Sequence, residues 1–161
     1  MNYRVGFGYD VHQLKDHEDF ILGGVALDYH KGTIGHSDAD VLIHAICDAL
    51  LGATNLGDIG FHFPDTAEEF KNIDSEILLQ RVTTLMKNNG YHIGNIDCTI
   101  CLEKPKLAPY IEQITTNLSR IMDIEKNKVS VKATTSEKMG FIGKEEGVAV
   151  YAIALVYSEP S

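Results

Sequence analysis

Asp10 and His12 stand two residues apart in an extended run, so both side chains leave the same face of a strand. His44 lies further on, in an apolar stretch with Ile43, Ala45 and Ile46. One carboxylate oxygen and two imidazole nitrogens suit Zn²⁺ and leave a fourth position open for water or substrate. Each residue also has a plainer use. His44 can be a hydrogen-bonded core histidine, and Asp10-x-His12 can be a polar pair at a strand end.

Phosphate is the second chemistry within reach. Gly35-His36-Ser37-Asp38 precedes a helical pattern, and a helix start attracts anions through its free N–H groups and dipole. Lys132-Ala133-Thr134-Thr135-Ser136-Glu137-Lys138 offers hydroxyls, ammonium groups and one carboxylate. Hydroxyls can donate to phosphate oxygens, and the carboxylate can hold Mg²⁺ against a diphosphate. The same segment can equally be a strand end capped by Thr and Ser side chains. A dinucleotide fingerprint at Gly6-x-Gly8 fails, because its third glycine would fall at Val11 and no helix opens there. Cys98 and Cys101 lie three apart in a β-prone run and point to opposite faces, so the pair is expected to be chemically idle.

The elements that would position these groups follow from periodicity. Tyr3 to His12 reads as a strand whose glycines let something approach the backbone. Phe20 to Leu27 reads as a hairpin around Gly23-Gly24. Ser37 is the expected N-cap, with Asp40 at the third position, of a helix carrying Val41, Leu42, Ala45, Ala49 and Leu50 and ending near Gly52. A second helix starts at Asp74 or Ser75, buries Ile77, Leu78, Val82 and Leu85, and stops at Gly90. A strand over Asn95 to Leu102, a helix carrying Ile111, Ile114, Leu118 and Ile121, and strands at Val129 to Ala133 and Val148 to Val156 complete the chain. Leu56 to Gly60 and Phe63 to Thr66 read as loops. The last strand is apolar on both faces and needs cover on both sides, which favours oligomerisation.

At 161 residues, with no linker or repeat, residues 1–161 read as one α+β or layered α/β domain able to bury its own core. A net charge of −9 argues against a nucleic-acid partner, although local charge and metal ions still admit an anionic substrate. No apolar run is long enough to span a bilayer, and no basic-then-apolar leader opens the chain. Three cysteines make no disulfide framework. A cytoplasmic protein without membrane or nucleic-acid partners is expected.

Taken in order, Gly8-Tyr9-Asp10-Val11-His12, Gly35 to Val41, His44, Leu56 to Gly60, Phe63 to Thr66 and Lys132 to Lys138 resemble the motifs of the 2-C-methyl-D-erythritol 2,4-cyclodiphosphate synthase family. The resemblance implies a two-layer sandwich with a mixed sheet, assembled as a homotrimer with its sheets facing inward. It implies cyclisation of a cytidine-diphosphate-linked methylerythritol 2-phosphate with loss of CMP, a step of non-mevalonate isoprenoid synthesis. Asp10, His12 and His44 would then hold zinc, and Glu137 would hold Mg²⁺ or Mn²⁺. His36 and Thr135 would be catalytic, orienting and stabilising the phosphates. Asp58 and Gly60 would meet the methylerythritol, with Ile59 and Phe63-Pro64-Asp65-Thr66-Ala67 beside it. Leu102-Glu103-Lys104-Pro105-Lys106-Leu107-Ala108, with Ala133 and Thr134, would form the cytidine pocket. Ser37, Ser136, Phe141 and Lys144 complete the expected substrate contacts, to which Asp10 and His12 also belong. Lys144 stands where the family pattern has arginine, keeping charge but losing the bidentate fork. Ala67 replaces a common second aspartate and removes any side-chain role there. The rival from another class is a trimeric binder of isoprenoid phosphates without turnover; intact metal ligands argue against it.

Overall fold

Alternation makes Asn2–Asp16 one long strand, β1, whose even-numbered residues Gly6, Gly8, Asp10, His12 and Leu14 share a face. The computed structural model describes residues 1–35, 37–64 and 73–159. Short strands β2 (Ile21–Leu22) and β3 (Val25–Ala26) form the hairpin expected at Gly23-Gly24, whose φ values of 59° and 73° suit glycine. β4 (Lys31–Thr33) then pairs with the end of β1. Helix α1 (Val41–Thr54) and the single turn α2 (Ile59–His62) follow, then α3 (Ser75–Asn88) and strand β5 (Tyr91–Cys101). The chain finishes with α4 (Ile111–Met122), β6 (Val129–Thr134), the turn α5 (Gly140–Gly143) and β7 (Gly147–Ser158).

The main sheet runs β4-β1-β7-β5-β6, antiparallel except for the parallel β5–β6 pair. Helices α1, α3 and α4 bury one of its faces, with Leu42, Ile46, Leu50, Leu79, Ile114 and Leu118 against Ile96, Ile100, Val150 and Ala154. This is one of the α+β or layered α/β architectures that the pattern allows, with the mixed sheet that the family resemblance implies. Among the described residues no helix is long and apolar enough to cross a membrane.

The glycines of β1 have a packing purpose. A Cβ on Gly8 would lie 1.9 Å from the Ala45 carbonyl oxygen, and one on Gly6 would lie 1.9 Å from that of Ala49. Ala45, Ala49 and Ala53 form an i, i+4 stripe, so the α1 backbone settles directly onto the strand. That close approach brings His44 down to Asp10.

Several boundaries move. The α1 N-cap is Asp40, not Ser37: its Oδ1 accepts from Ile43 N at 3.0 Å while its Oδ2 accepts from Gly24 N at 2.7 Å. The Ser37 hydroxyl turns instead toward His44. Helix α1 runs past Gly52 to Thr54 and stops where Asn55 adopts φ 57°. In α3 the buried stripe is Ser75, Leu78, Leu79, Val82, Thr83 and Met86, leaving Ile77 exposed and Leu85 only partly covered. Strand β5 starts four residues early, at Tyr91, and passes a register shift between Ile93 and Asn95. Within the chain, β7 is covered along one face, and its other face is covered only toward Gly147 and Ala149. Its other face carries Tyr151 and Ile153 beside Phe7 and Tyr9 of β1, all exposed.

Candidate metal centre and substrate cavity

Asp10 Oδ2 lies 2.9 Å from His12 Nε2 and 3.2 Å from His44 Nδ1. The three ligand atoms all fall within 4.8 Å of one another, the arrangement that can hold a divalent ion. Metal–ligand bonds of about 2.0–2.1 Å at tetrahedral angles would separate ligand atoms by about 3.3 Å, so the donors need little movement. Burial opposes the charge on Asp10, but hydrogen bonds from His12 and His44 outweigh it and lower the carboxyl to about 2. Burial also disfavours an imidazolium at His44, yet the Asp10 hydrogen bond prevails and raises its pKa. The triad is therefore an anionic seat that attracts cations, with metal and proton competing for the imidazoles.

The triad opens into a cavity of about 360 Å³ that is also lined by Ile34, Gly35, Ser37, Asp48, Ile59, Gly60 and Phe63. Asp58 stands at its side as the N-cap of α2, its Oδ1 accepting from Phe61 N at 2.9 Å. Asp48 is a wall residue not anticipated from the sequence. Burial raises its pKa, and its Oδ1 accepts from Ile59 N at 2.8 Å, fixing the turn that presents Asp58 and Gly60. Its spacing from His44, one helical turn along α1, was the available signal.

A second hollow, of about 280 Å³, is lined by Leu102, Glu103, residues 105–108, Ala133, Thr134 and Thr135. Apart from Thr135, expected to be catalytic, these are residues expected for cytidine; Lys104 is not among them, and its Nζ pairs with Glu145 at 3.0 Å. The Thr135 hydroxyl donates to Glu137 Oε1 at 3.2 Å, and Glu137 and Lys138 adopt φ of 54° and 62°. Glu103 braces that loop. Its Oε1 accepts from Ser136 N at 2.9 Å, Ser136 Oγ at 3.2 Å and Lys138 N at 3.3 Å. The first of these donors leads in drawing the Glu103 pKa down. Lys132 is turned away, paired with Asp97.

The anion seat expected at the start of α1 is occupied by the chain itself. Asp40 caps the helix, and Asp38 faces Ser75. Phe141 packs beside Gly147, and Lys144 is exposed after α5. Pro64 is exposed, while His36, Asp65, Thr66 and Ala67 lie outside the described residues. Cys98 is buried and Cys101 half-buried on the opposite face, and both are free thiols.

The two hollows sit at one end of the sheet. Val11, Ala149, Cys101 and Thr134 form a cross-strand row over β1, β7, β5 and β6. Three strand spacings, roughly 14 Å, therefore separate the metal strand from the threonine strand.

Mixed sheet, single helical layer and carboxylate–imidazole seat define an α+β two-layer protein with a site able to hold a divalent metal. The chain belongs to the YgbB family, whose model matches residues 3–157. It is 56% identical over 156 residues to 2-C-methyl-D-erythritol 2,4-cyclodiphosphate synthase of Bacteroides fragilis, covering 97% of this chain and 98% of that protein. Among solved structures, IspF of Plasmodium falciparum in complex with CDP matches at TM-score 0.87 and 32% identity, over 99% of this chain and 98% of that one. The bifunctional IspDF of Campylobacter jejuni matches at TM-score 0.94 and 37% identity over 98% of this chain, which spans 43% of that longer protein.

Proposed function

We propose that residues 1–161 form a single cytoplasmic cyclase domain. It converts 4-diphosphocytidyl-2-C-methyl-D-erythritol 2-phosphate to 2-C-methyl-D-erythritol 2,4-cyclodiphosphate and CMP in non-mevalonate isoprenoid synthesis. The observation that carries this reading is the Asp10–His12–His44 seat opening onto Ile59, Gly60 and Phe63. The close relationship to proteins named for that activity supports it.

The hollow at Leu102 to Ala108, with Ala133 and Thr134, takes cytidine. Asp58 and Gly60 hold the methylerythritol. Ser37, Ile59, Phe63 to Ala67, Ser136, Phe141 and Lys144 border the bound substrate. His36 and Thr135 orient the phosphates and stabilise charge as it develops. An oxygen of the substrate's 2-phosphate attacks the β-phosphorus. A new P–O–P bond forms, the bond from the β-phosphorus to the bridging oxygen breaks, and CMP leaves with that electron pair. No protein nucleophile is required, so the protein's task is to fold an extended anion into attack geometry, a contribution of ~7–11 kcal/mol in favourable systems. Zinc on the triad and Mg²⁺ or Mn²⁺ on Glu137, when bound, neutralise phosphate charge and polarise the reacting oxygens.

The exposed Phe7, Tyr9, Tyr151 and Ile153 face supports a homotrimer with inward-facing sheets, in which each site joins the metal half of one chain to the nucleotide half of the next. The test is CMP release from the substrate with zinc and magnesium present. The proposal expects CMP and cyclic diphosphate in equal amounts. Substrate bound and recovered intact would instead make the chain a binder.

A further inference from the structure

On the strength of the metal reading above, we propose that Ser75 and Asp38 are positioning residues. Together they lock His44 into the tautomer that presents Nδ1 to the metal. Ser75 Oγ hydrogen-bonds Asp38 Oδ1, while Ser75 N donates to Asp38 Oδ2 at 3.1 Å. An ionised carboxylate can only accept, so the single hydroxyl proton of Ser75 is committed to Asp38. What Ser75 Oγ offers to His44 Nε2, 3.1 Å away, is a lone pair. With that lone pair facing it, Nε2 is the nitrogen that keeps its proton when a metal takes the place of the proton between Nδ1 and Asp10. Nδ1 lies 3.2 Å from Asp10 Oδ2 on the metal side, where it shares a proton with that oxygen and exchanges it for the metal. Ser37 Oγ, also 3.1 Å from Nε2 and 3.4 Å from Ser75 Oγ, can accept the same proton while giving its own to Ser75.

The arrangement is specific to one ligand. His12 directs Nε2 at Asp10, and its Nδ1 is buried without a hydrogen-bond partner among the described residues. Only His44 has a carboxylate-terminated chain behind it. Ser75 is fully buried as the first residue of α3, and Asp38 lies in the segment before α1, so the chain also ties α3 to α1. Outer partners of this kind orient a metal-bound imidazole and raise its basicity. Their loss typically weakens metal binding 10–100-fold without abolishing the site.

The test measures zinc affinity by chelator competition for the wild-type protein, Ser75→Ala, Asp38→Asn and His44→Ala. The expected result is affinity about 10–100-fold weaker in Ser75→Ala and Asp38→Asn, with one zinc per chain still bound at saturation, and no site in His44→Ala. Zinc affinity unchanged in both outer variants would overturn the inference and leave the metal reading intact. A wild-type chain that binds no zinc would overturn the metal reading itself, and this inference with it. A second readout needs no variant: imidazole ¹⁵N shifts of the zinc-loaded wild-type protein. Metal on Nδ1 of His44 with the proton on Nε2 is expected, and zinc on Nε2 would contradict the assignment.

Discussion

The metal seat and the threonine loop are built in opposite ways. Asp10 and His12 stand on the long strand β1, paired along its length with β7, and His44 on a helix whose backbone rests against Gly6 and Gly8. Thr135 and Glu137 stand on an exposed loop with two consecutive residues at positive φ, braced by the single carboxylate of Glu103. Regular elements and buried hydrogen bonds make the first region rigid before anything binds. The second is exposed and is held by hydrogen bonds to Glu103 rather than by packing. One region is a fixed anvil; the other is an exposed arm braced by one carboxylate.

Removing a ligand from the rigid region should have the largest effect. His12→Ala is expected to lose bound zinc and at least about 10³-fold in activity, since a metal ion supplies several kcal/mol and each 1.36 kcal/mol is tenfold. Metal analysis with a CMP assay checks it, and full zinc retention would show that the seat was misassigned. Thr135→Ala comes next, with a loss of about 10²–10³ in kcat, as for a deleted transition-state donor. Its zinc content should be unchanged, which separates the two regions. Glu103→Ala should cost roughly tenfold in activity, the equivalent of one lost charge-assisted hydrogen-bond set, with Glu103→Gln retaining part of the loss. Equal activity in Glu103→Ala and wild type would mean that the loop needs no brace.

The contrast also explains what was legible in the sequence. Asp10 and His12 announced themselves because a strand puts residues two apart on one face, and the glycines of β1 marked a close neighbour. The identity of that neighbour, the Ala45–Ala49–Ala53 stripe of α1, was not legible, because it is a tertiary contact. The N-cap was misplaced because Ser37 and Asp40 are both good capping residues, and only the hairpin N–H of Gly24 decides for Asp40. Ser75–Asp38 and Glu103–Ser136 join residues 37 and 33 positions apart, beyond any local pattern. The apolar character of β7 was read correctly, while the finding that one face lies open within the chain needed the fold.

The smallest effect belongs to the cysteines. Burial pushes the Cys98 thiol up to about 12, which leaves it protonated and inert. The Cys98→Ser, Cys101→Ser double variant should keep its zinc and its activity and lose about 1–3 kcal/mol of stability from a hydroxyl placed in an apolar site. Denaturant melts with a metal assay check this, and zinc loss from a folded double variant would contradict it.

The division of labour between the two regions is tested most directly by complementation. His12→Ala keeps the arm and loses the anvil, whereas Thr135→Ala does the reverse. Co-expressed at equal levels and shown by mass to form mixed oligomers, the two inactive variants should recover about a quarter of wild-type activity over the random pool, parental oligomers included. In a ring with head-to-tail sites, about one interface in four pairs an intact metal half with an intact threonine half. Mixed oligomers with no activity above either parent would place both halves of each site on one chain and contradict the shared site.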